Sequence, residues 1–156
     1  MTRRARPSTA IVGAGRLACA IAPALADAGY PVEVIVSRSP SAARRLARSI
    51  PGARAASGAG TPLGGASLVL LAIPDREIEN VARRLARDND GWKTRCVLHH
   101  AGAYGVAPLQ ALARRGAAVG VLHPLQSLGP RTPRSVLQGS YARIEGDRRG
   151  RSIARR

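Results

Sequence analysis

The sequence predicts a doubly wound α/β domain, in which a parallel sheet lies between two layers of helices, and three observations carry that expectation. Short apolar runs alternate with amphipathic helical patterns from one end of the chain to the other. The first run, Ala10-Ile11-Val12, opens through Gly13-Ala14-Gly15-Arg16-Leu17-Ala18, a Gly-x-Gly-x-x-Ala turn, directly into a helical pattern. Residues 68–73, Leu-Val-Leu-Leu-Ala-Ile, are continuously apolar, as in a parallel strand buried on both faces. At 156 residues, with no internal repeat or long linker, the chain is one three-layer domain by length.

Residues 10–12 form the first strand and 16–28 the first helix, with Leu17, Ile21, Ala24 and Leu25 at helical spacing and Gly29 as its stop. The second strand is 32–36. Ser39 reads as an N-cap with Pro40 at the first helical position, so a second helix covers 40–49 with Ala43, Leu46 and Ala47 turned inward. A weak third strand takes 53–56, and the Gly-, Thr- and Pro-rich stretch 57–65 is loop. Pro74 ends the fourth strand, 68–73. Asp75 is expected to cap a third helix reaching residue 87, with Ile78, Val81, Ala82 and Leu85 on the sheet and Arg83, Arg84 and Arg87 in water. After a turn over 88–94 come a fifth strand at 95–99, a helix at 106–114, a sixth strand at 118–122 and a last strand at 141–144. Right-handed crossovers then give a central order of 3-2-1-4-5-6.

The formal net charge is +16, and all of the basic residues but Lys93 are arginine. So strong a charge invites a polyanion. The arginines are spread over nearly every segment, however, and without any Phe only Trp92, Tyr30, Tyr104 and Tyr141 are available for base stacking, so no specific nucleic-acid partner is expected. No run reaches the roughly 18 apolar residues of a membrane span, and the basic start lacks the apolar core of a secretory signal, which predicts a cytoplasmic protein. Cys19 and Cys96 lack metal spacing and read as reduced core residues.

In a sheet of this kind ligands bind beyond the carboxyl ends of the strands, where the unusual residues of this chain fall. In the glycine turn, Gly13 permits the tight bend, Gly15 lets the backbone approach a pyrophosphate, and small Ala18 lets helix and strand pack. The backbone of Gly13, Ala14, Gly15, Arg16 and Leu17 would hold that pyrophosphate at the helix N-terminus. After the second strand, where a carboxylate would bond the ribose of NAD, stand Ser37-Arg38-Ser39, a set suited to the 2′-phosphate of NADP. Ile73 and Pro74 would line the path to the nicotinamide-side ribose. All three histidines sit at two strand ends, in His99-His100-Ala101-Gly102 and in His123-Pro124-Leu125-Gln126. His99, His100, Gly102, His123 and Gln126 would form the floor beside the nicotinamide, with His123 and Gln126 on the substrate side. His123 is the candidate catalytic group, orienting substrate or relaying a proton. No carboxylate or thiolate accompanies the histidines at ligand spacing, so no metal site is expected.

Together, the glycine turn, Leu71-Ala72-Ile73-Pro74-Asp75, His99-His100-Ala101-Gly102-Ala103 and Leu122-His123-Pro124-Leu125-Gln126 resemble a known group. This is the Rossmann-like NAD(P)-binding domain of a reductase branch related to pyrroline-5-carboxylate reductase, 6-phosphogluconate dehydrogenase and the coenzyme-F420-type NADP oxidoreductases. The resemblance runs from about Ser8 to Asp147 and implies hydride transfer from NADPH to a carbonyl or imine carbon of a small acid. Members of the branch usually carry Ser where this chain has Ala101, and they continue into a helical domain that completes the substrate pocket and mediates dimerisation. The resemblance therefore implies a basic tail at 1–7, the nucleotide-binding domain at 8–147, and at 148–156 the start of a helix whose domain is cut short. It also implies a small-molecule substrate and a homodimer in the full-length form. Two alternatives stand beside it: a non-catalytic nucleotide-binding module and a basic polyanion-binding protein.

Overall fold

A computed structural model describes residues 5–57, 63–129 and 134–156. Seven strands form one sheet in the order β3-β2-β1-β4-β5-β6-β7. The first six, β1 (Thr9–Val12), β2 (Val32–Val36), β3 (Arg54–Ala56), β4 (Leu68–Leu71), β5 (Cys96–His99) and β6 (Ala118–Pro124), are parallel. The expected order of the central six is the observed one. β7 (Ala142–Gly146) pairs antiparallel with β6, placing Val121 opposite Glu145 and His123 opposite Arg143. It lies one to two residues later than expected, and its reversed direction departs from an all-parallel sheet.

Period-two alternation assigns the core to two faces. Ala10, Val12, Val34, Val36, Val69, Leu71, Val97 and Val119 pack with Ile78, Ala82, Leu85 and Ala86 of α3 (Ile78–Asp88) and with Leu112 of α4 (Gln110–Arg114). The intervening Ile11, Ile35, Leu68, Leu70, Cys96 and Leu98 pack on the other face, with Ala18, Ile21 and Ala22 of α1 (Arg16–Asp27) and Ala43, Leu46 and Ala47 of α2 (Pro40–Arg48). Central strands buried on both sides need apolar residues at every position, which is why their sequences read as continuous runs.

Helix boundaries follow local chemistry. Ser39 Oγ accepts from the Ala42 amide at 3.3 Å, with Pro40 next, so α2 begins as expected. The third helix does not. Residues Asp75–Glu77 form a 3-10 turn ahead of α3, and Asp75 makes no side-chain cap, because it lies inside the first turn rather than before it. The helix expected at 106–114 likewise divides into a 3-10 turn, Ala107–Leu109, and α4. The expected loop at 57–65 falls largely outside the described residues. Cys19 is exposed on α1 and Cys96 is buried in β5, both free, so only Cys96 is a core residue.

α5 (Arg148–Ala154) lies on the sheet beside β5, β6 and β7. Asp147 joins it there. One carboxylate oxygen accepts from the Gly150 amide and the other from the Val119 amide, each at 2.7 Å, so a single side chain caps the helix and ties it to β6. Among the described residues no helix is long and apolar enough to cross a membrane.

Candidate functional site

The chain leaves β1 toward β2 on one side and β4 toward β5 on the other, so the loops that follow these two neighbours part. A cleft of about 510 Å³ opens there. Val12, Gly13 and Gly15 contribute from the β1–α1 turn, Val36, Ser37 and Arg38 from the end of β2, and Ala72, Ile73 and Pro74 from the end of β4.

The two glycines have different reasons. Gly13 has φ +122°, and a Cβ there would stand 2.1 Å from the Ala72 carbonyl oxygen, so the turn is pressed against the β4 end and admits no side chain. Its amide donates to Val36 O at 2.7 Å, linking β1 to β2 at the same point. Gly15 has φ −85°, which any residue adopts, and no atom lies within 4 Å of where its Cβ would be. It precedes α1, whose first turn has no side-chain cap and no acidic residue. First-turn amides and the positive end of the helix dipole are thus left for a ligand. Ala14 and Leu17 pack against the α1-side core, and Arg16 is exposed as the first helical residue. What these three can offer the cleft is backbone.

At the β2 end, Ser37 Oγ accepts from the Ser39 amide at 3.2 Å. Ser39 Oγ is occupied with the Ala42 amide and with the Ser41 hydroxyl, 3.1 Å away, so Ser39 caps α2 and does not line the cleft. Arg38 is exposed on the cleft wall.

Beyond the strand-end residues Val12, Val36 and Ala72, four further cleft residues lie outside the site set that the sequence predicts: Glu77, Asn80, Val81 and Arg84. Their spacing of three, one and three is a helical stripe that shares Val81 with the apolar one. The apolar stripe predicts the buried face and leaves Arg84 in water. The side chain is instead half-buried against the cleft, because α3 presents this second stripe toward β1 and β2.

The histidines do not line this cleft. His99 is fully buried, its Nε2 donates to Gly105 O at 2.6 Å, and its Nδ1 accepts from the Ala101 amide at 3.1 Å. Both nitrogens are committed to folding the 99–105 loop, and burial holds the ring's pKa below its ordinary 6.5. His99 therefore has no nitrogen left for a cofactor. His100 is also buried, with Nδ1 donating to Leu122 O at 2.6 Å, and its Nε2 has no partner among the described residues. Burial lowers its pKa to about 4, outweighing the bond to Leu122, which favours the proton.

His123 stands on β6, which runs two residues further than expected and includes it. Its Nδ1 donates to His100 O at 2.6 Å, so β5 and β6 are clipped together by His100 bonding to β6 and His123 bonding back. A carbonyl only accepts, so Nδ1 carries the hydrogen and Nε2 carries the lone pair. A Cβ on Gly102 would come within 2.7 Å of this ring, so the glycine is where the loop passes against His123. Arg143 donates to Gly102 O at 2.5 Å and pairs with Glu145, fixing the same loop from β7. Gln126 is exposed and donates to Val136 O at 3.1 Å, which holds a loop rather than facing the cleft. Two groups thus emerge: a cleft at the β1, β2 and β4 ends, and a histidine clip at the neighbouring β5 and β6 ends.

A family model of the Rossmann-like domain matches residues 1–124. Solved structures share the fold. One described as an NADP oxidoreductase from Bacteroides fragilis is 18% identical, with 96% of this chain and 55% of that chain covered and a TM-score of 0.80. An imine reductase from Bacillus cereus is 22% identical, with 96% and 50% covered and a TM-score of 0.73. A pyrroline-5-carboxylate reductase from Coxiella burnetii is 19% identical, with 96% and 56% covered and a TM-score of 0.69. The chain spans about half the length of each of these structures. No curated protein matches it in sequence. With a parallel sheet, a glycine turn at the β1–α1 junction, a cleft at the switch point and a family match over most of its length, the chain belongs to the Rossmann-like domain family.

Proposed function

We propose that this chain is the NADP-binding half of a reductase that delivers hydride to a carbonyl or imine carbon of a small acid. Gly15 carries the reading. Its backbone is ordinary and its surroundings are open, so nothing in the protein itself requires a glycine there. A ligand lying across the first turn of α1 does require it, because any side chain would occupy the pyrophosphate's place. The uncapped helix and the apolar walls Val12, Val36, Ala72 and Ile73 fit a dinucleotide, whose central pyrophosphate joins two nucleosides that each carry a flat ring. The choice of NADP rests on Ser37-Arg38-Ser39, which offers a cation and no carboxylate where NAD would meet an acid.

Bound NADPH would supply the hydride, leaving as NADP⁺ while the substrate carbon is reduced by two electrons. The chain's part is orientation and a proton. His123, with Nδ1 held by the His100 carbonyl, presents Nε2 as the group that takes a proton from solvent and passes it to the substrate's oxygen or nitrogen. The small-acid substrate class belongs to the same reading, supported by the pyrroline-5-carboxylate reductase that shares the fold, and so do a homodimer in the full-length form and a cytoplasmic location, which rest on the sequence reading alone.

Calorimetric titration with NADPH, on the parent and on Gly15→Val, tests it. Binding by the parent and loss of at least about a hundredfold in the variant, with an unchanged far-ultraviolet circular dichroism spectrum, is the expected result. Equal binding by the two proteins would reduce the glycine turn to a structural feature.

A further inference from the structure

We propose that Arg84 of α3 is a second phosphate-binding cation of the cleft, joining Arg38 on the phosphomonoester that distinguishes NADP from NAD. The inference rests on the dinucleotide reading and adds to it a residue far in sequence from the β2–α2 turn.

Its ground is the company that the partly buried arginines keep. Among the described residues there are three, Arg6, Arg84 and Arg95. Arg6 donates to Tyr30 Oη at 2.8 Å and lies 4.6 Å from that ring's centroid. Arg95 donates through Nη2 to Gly64 O at 3.1 Å and lies 5.4 Å from the Trp92 ring, while its buried Nη1 has no partner among the described residues. Arg84 makes no hydrogen bond, ion pair or ring contact among the described residues. Its side chain is half-buried on the cleft wall, and its guanidinium is left uncommitted among the described residues, so a ligand's anionic group can be its partner. The cation is accounted for if the partner is an anionic ligand.

Position supplies the rest. Arg84, on α3, and Arg38, at the β2 end, line the same cleft. Helical side chains lean toward the N-terminus of their helix, and α3 begins just beyond the carboxyl end of β4, so Arg84 leans toward the rim where the ligand lies. The one carboxylate on the cleft wall, Glu77, has a neighbour of its own in Arg76, at 3.9 Å. Two guanidiniums with no partner among the described residues, both lining one cleft, suit a dianion better than the single negative charge of each pyrophosphate phosphorus, which the amides of α1 are placed to serve.

Adenosine 2′,5′-bisphosphate and adenosine 5′-phosphate separate the possibilities, titrated against the parent, Arg84→Gln and Arg84→Lys. Arg84→Gln should weaken the bisphosphate about ten- to a hundredfold and the monophosphate less than about threefold, as expected for loss of one charge-assisted contact. Arg84→Lys, which keeps stem and charge, should recover part of that loss, and matching thermal melts would show that the fold is retained. If Arg84→Gln weakens both ligands equally, or neither, Arg84 has no part in the 2′-phosphate and the dinucleotide reading stands without it. If the parent binds neither nucleotide nor NADPH, that reading itself is overturned.

Discussion

His100 shows how a single buried ring can set a pH limit on the fold. Its pKa in the folded chain is about 4, against an ordinary 6.5, because burial disfavours the charged form. Above 6.5 neither the folded nor the unfolded chain carries the proton. Between 6.5 and about 4 only the unfolded chain takes it up, so stability falls as the pH drops through that window and levels off below it. The lost stability amounts to up to about 3 kcal/mol, and His99, shifted in the same direction, adds to it. Urea unfolding at pH 7.5 and 4.5 measures the fall. His100→Asn keeps a donor for Leu122 O but has no proton to gain, so its stability should drop less between the two pH values. The same acid slope in parent and variant would assign the loss to other groups. A second residue prediction concerns Gly13, where φ +122° and a Cβ 2.1 Å from Ala72 O make any side chain incompatible with the turn. Gly13→Ala should cost about 2–4 kcal/mol in the same assay, in contrast to Gly15→Val, which should cost little stability and abolish binding.

At the scale of elements, α5 hangs on Asp147. Its two carboxylate oxygens serve amides on β6 and in α5, and Gly150 packs so closely on β6 that a Cβ there would come within 2.3 Å of Val119 O. Asp147→Ala should therefore cost about 3 kcal/mol, while Asp147→Asn, which keeps one acceptor, should cost about half of that. Hydrogen exchange would show whether the loss is concentrated in α5 and β7. The same segment marks the limit of what the sequence made legible. Alternating apolar runs and helical stripes were enough to order β1 to β6, because each strand buried on both faces announces itself by composition. β7, with Ala142, Arg143 and Glu145 among its residues, lies at the sheet's edge, where burial writes no such pattern, and its direction had no local signal. Asp75 and Ser39 looked alike as caps, yet only Ser39 has its oxygen on a helix amide; the 3-10 turn that places Asp75 inside the helix start is a matter of backbone geometry. The glycine turn and Arg38 are legible in the sequence as candidate residues of the cleft they line, because their chemistry is local. Arg84 and the clip between His100 and His123 are not, since each depends on which elements become neighbours.

For the molecule as a whole, the net charge of +16 competes with the cleft as an account of what it binds. Most of the arginines are exposed and spread over both helix layers, so weak association with polyanions is expected whatever the cleft does. The two modes differ in their response to salt and to cofactor. Binding of a random-sequence oligonucleotide, followed by fluorescence anisotropy, should collapse as salt is raised from 50 to 200 mM and should not displace NADPH, because the charges it uses are not those of the cleft. Displacement of one by the other at stoichiometric ratios would mean that the cleft is itself the polyanion site.

Backbone amide shifts in a ¹H–¹⁵N spectrum during titration with NADPH test the central claim most directly, since they report both that the ligand binds and where. The account predicts perturbations concentrated at Gly13 to Leu17, at Val36 to Arg38 and at Ala72 to Val81, with smaller ones around His123. Absence of saturable shifts, or shifts scattered over the exposed arginine faces with Gly15 and its neighbours unmoved, would contradict it.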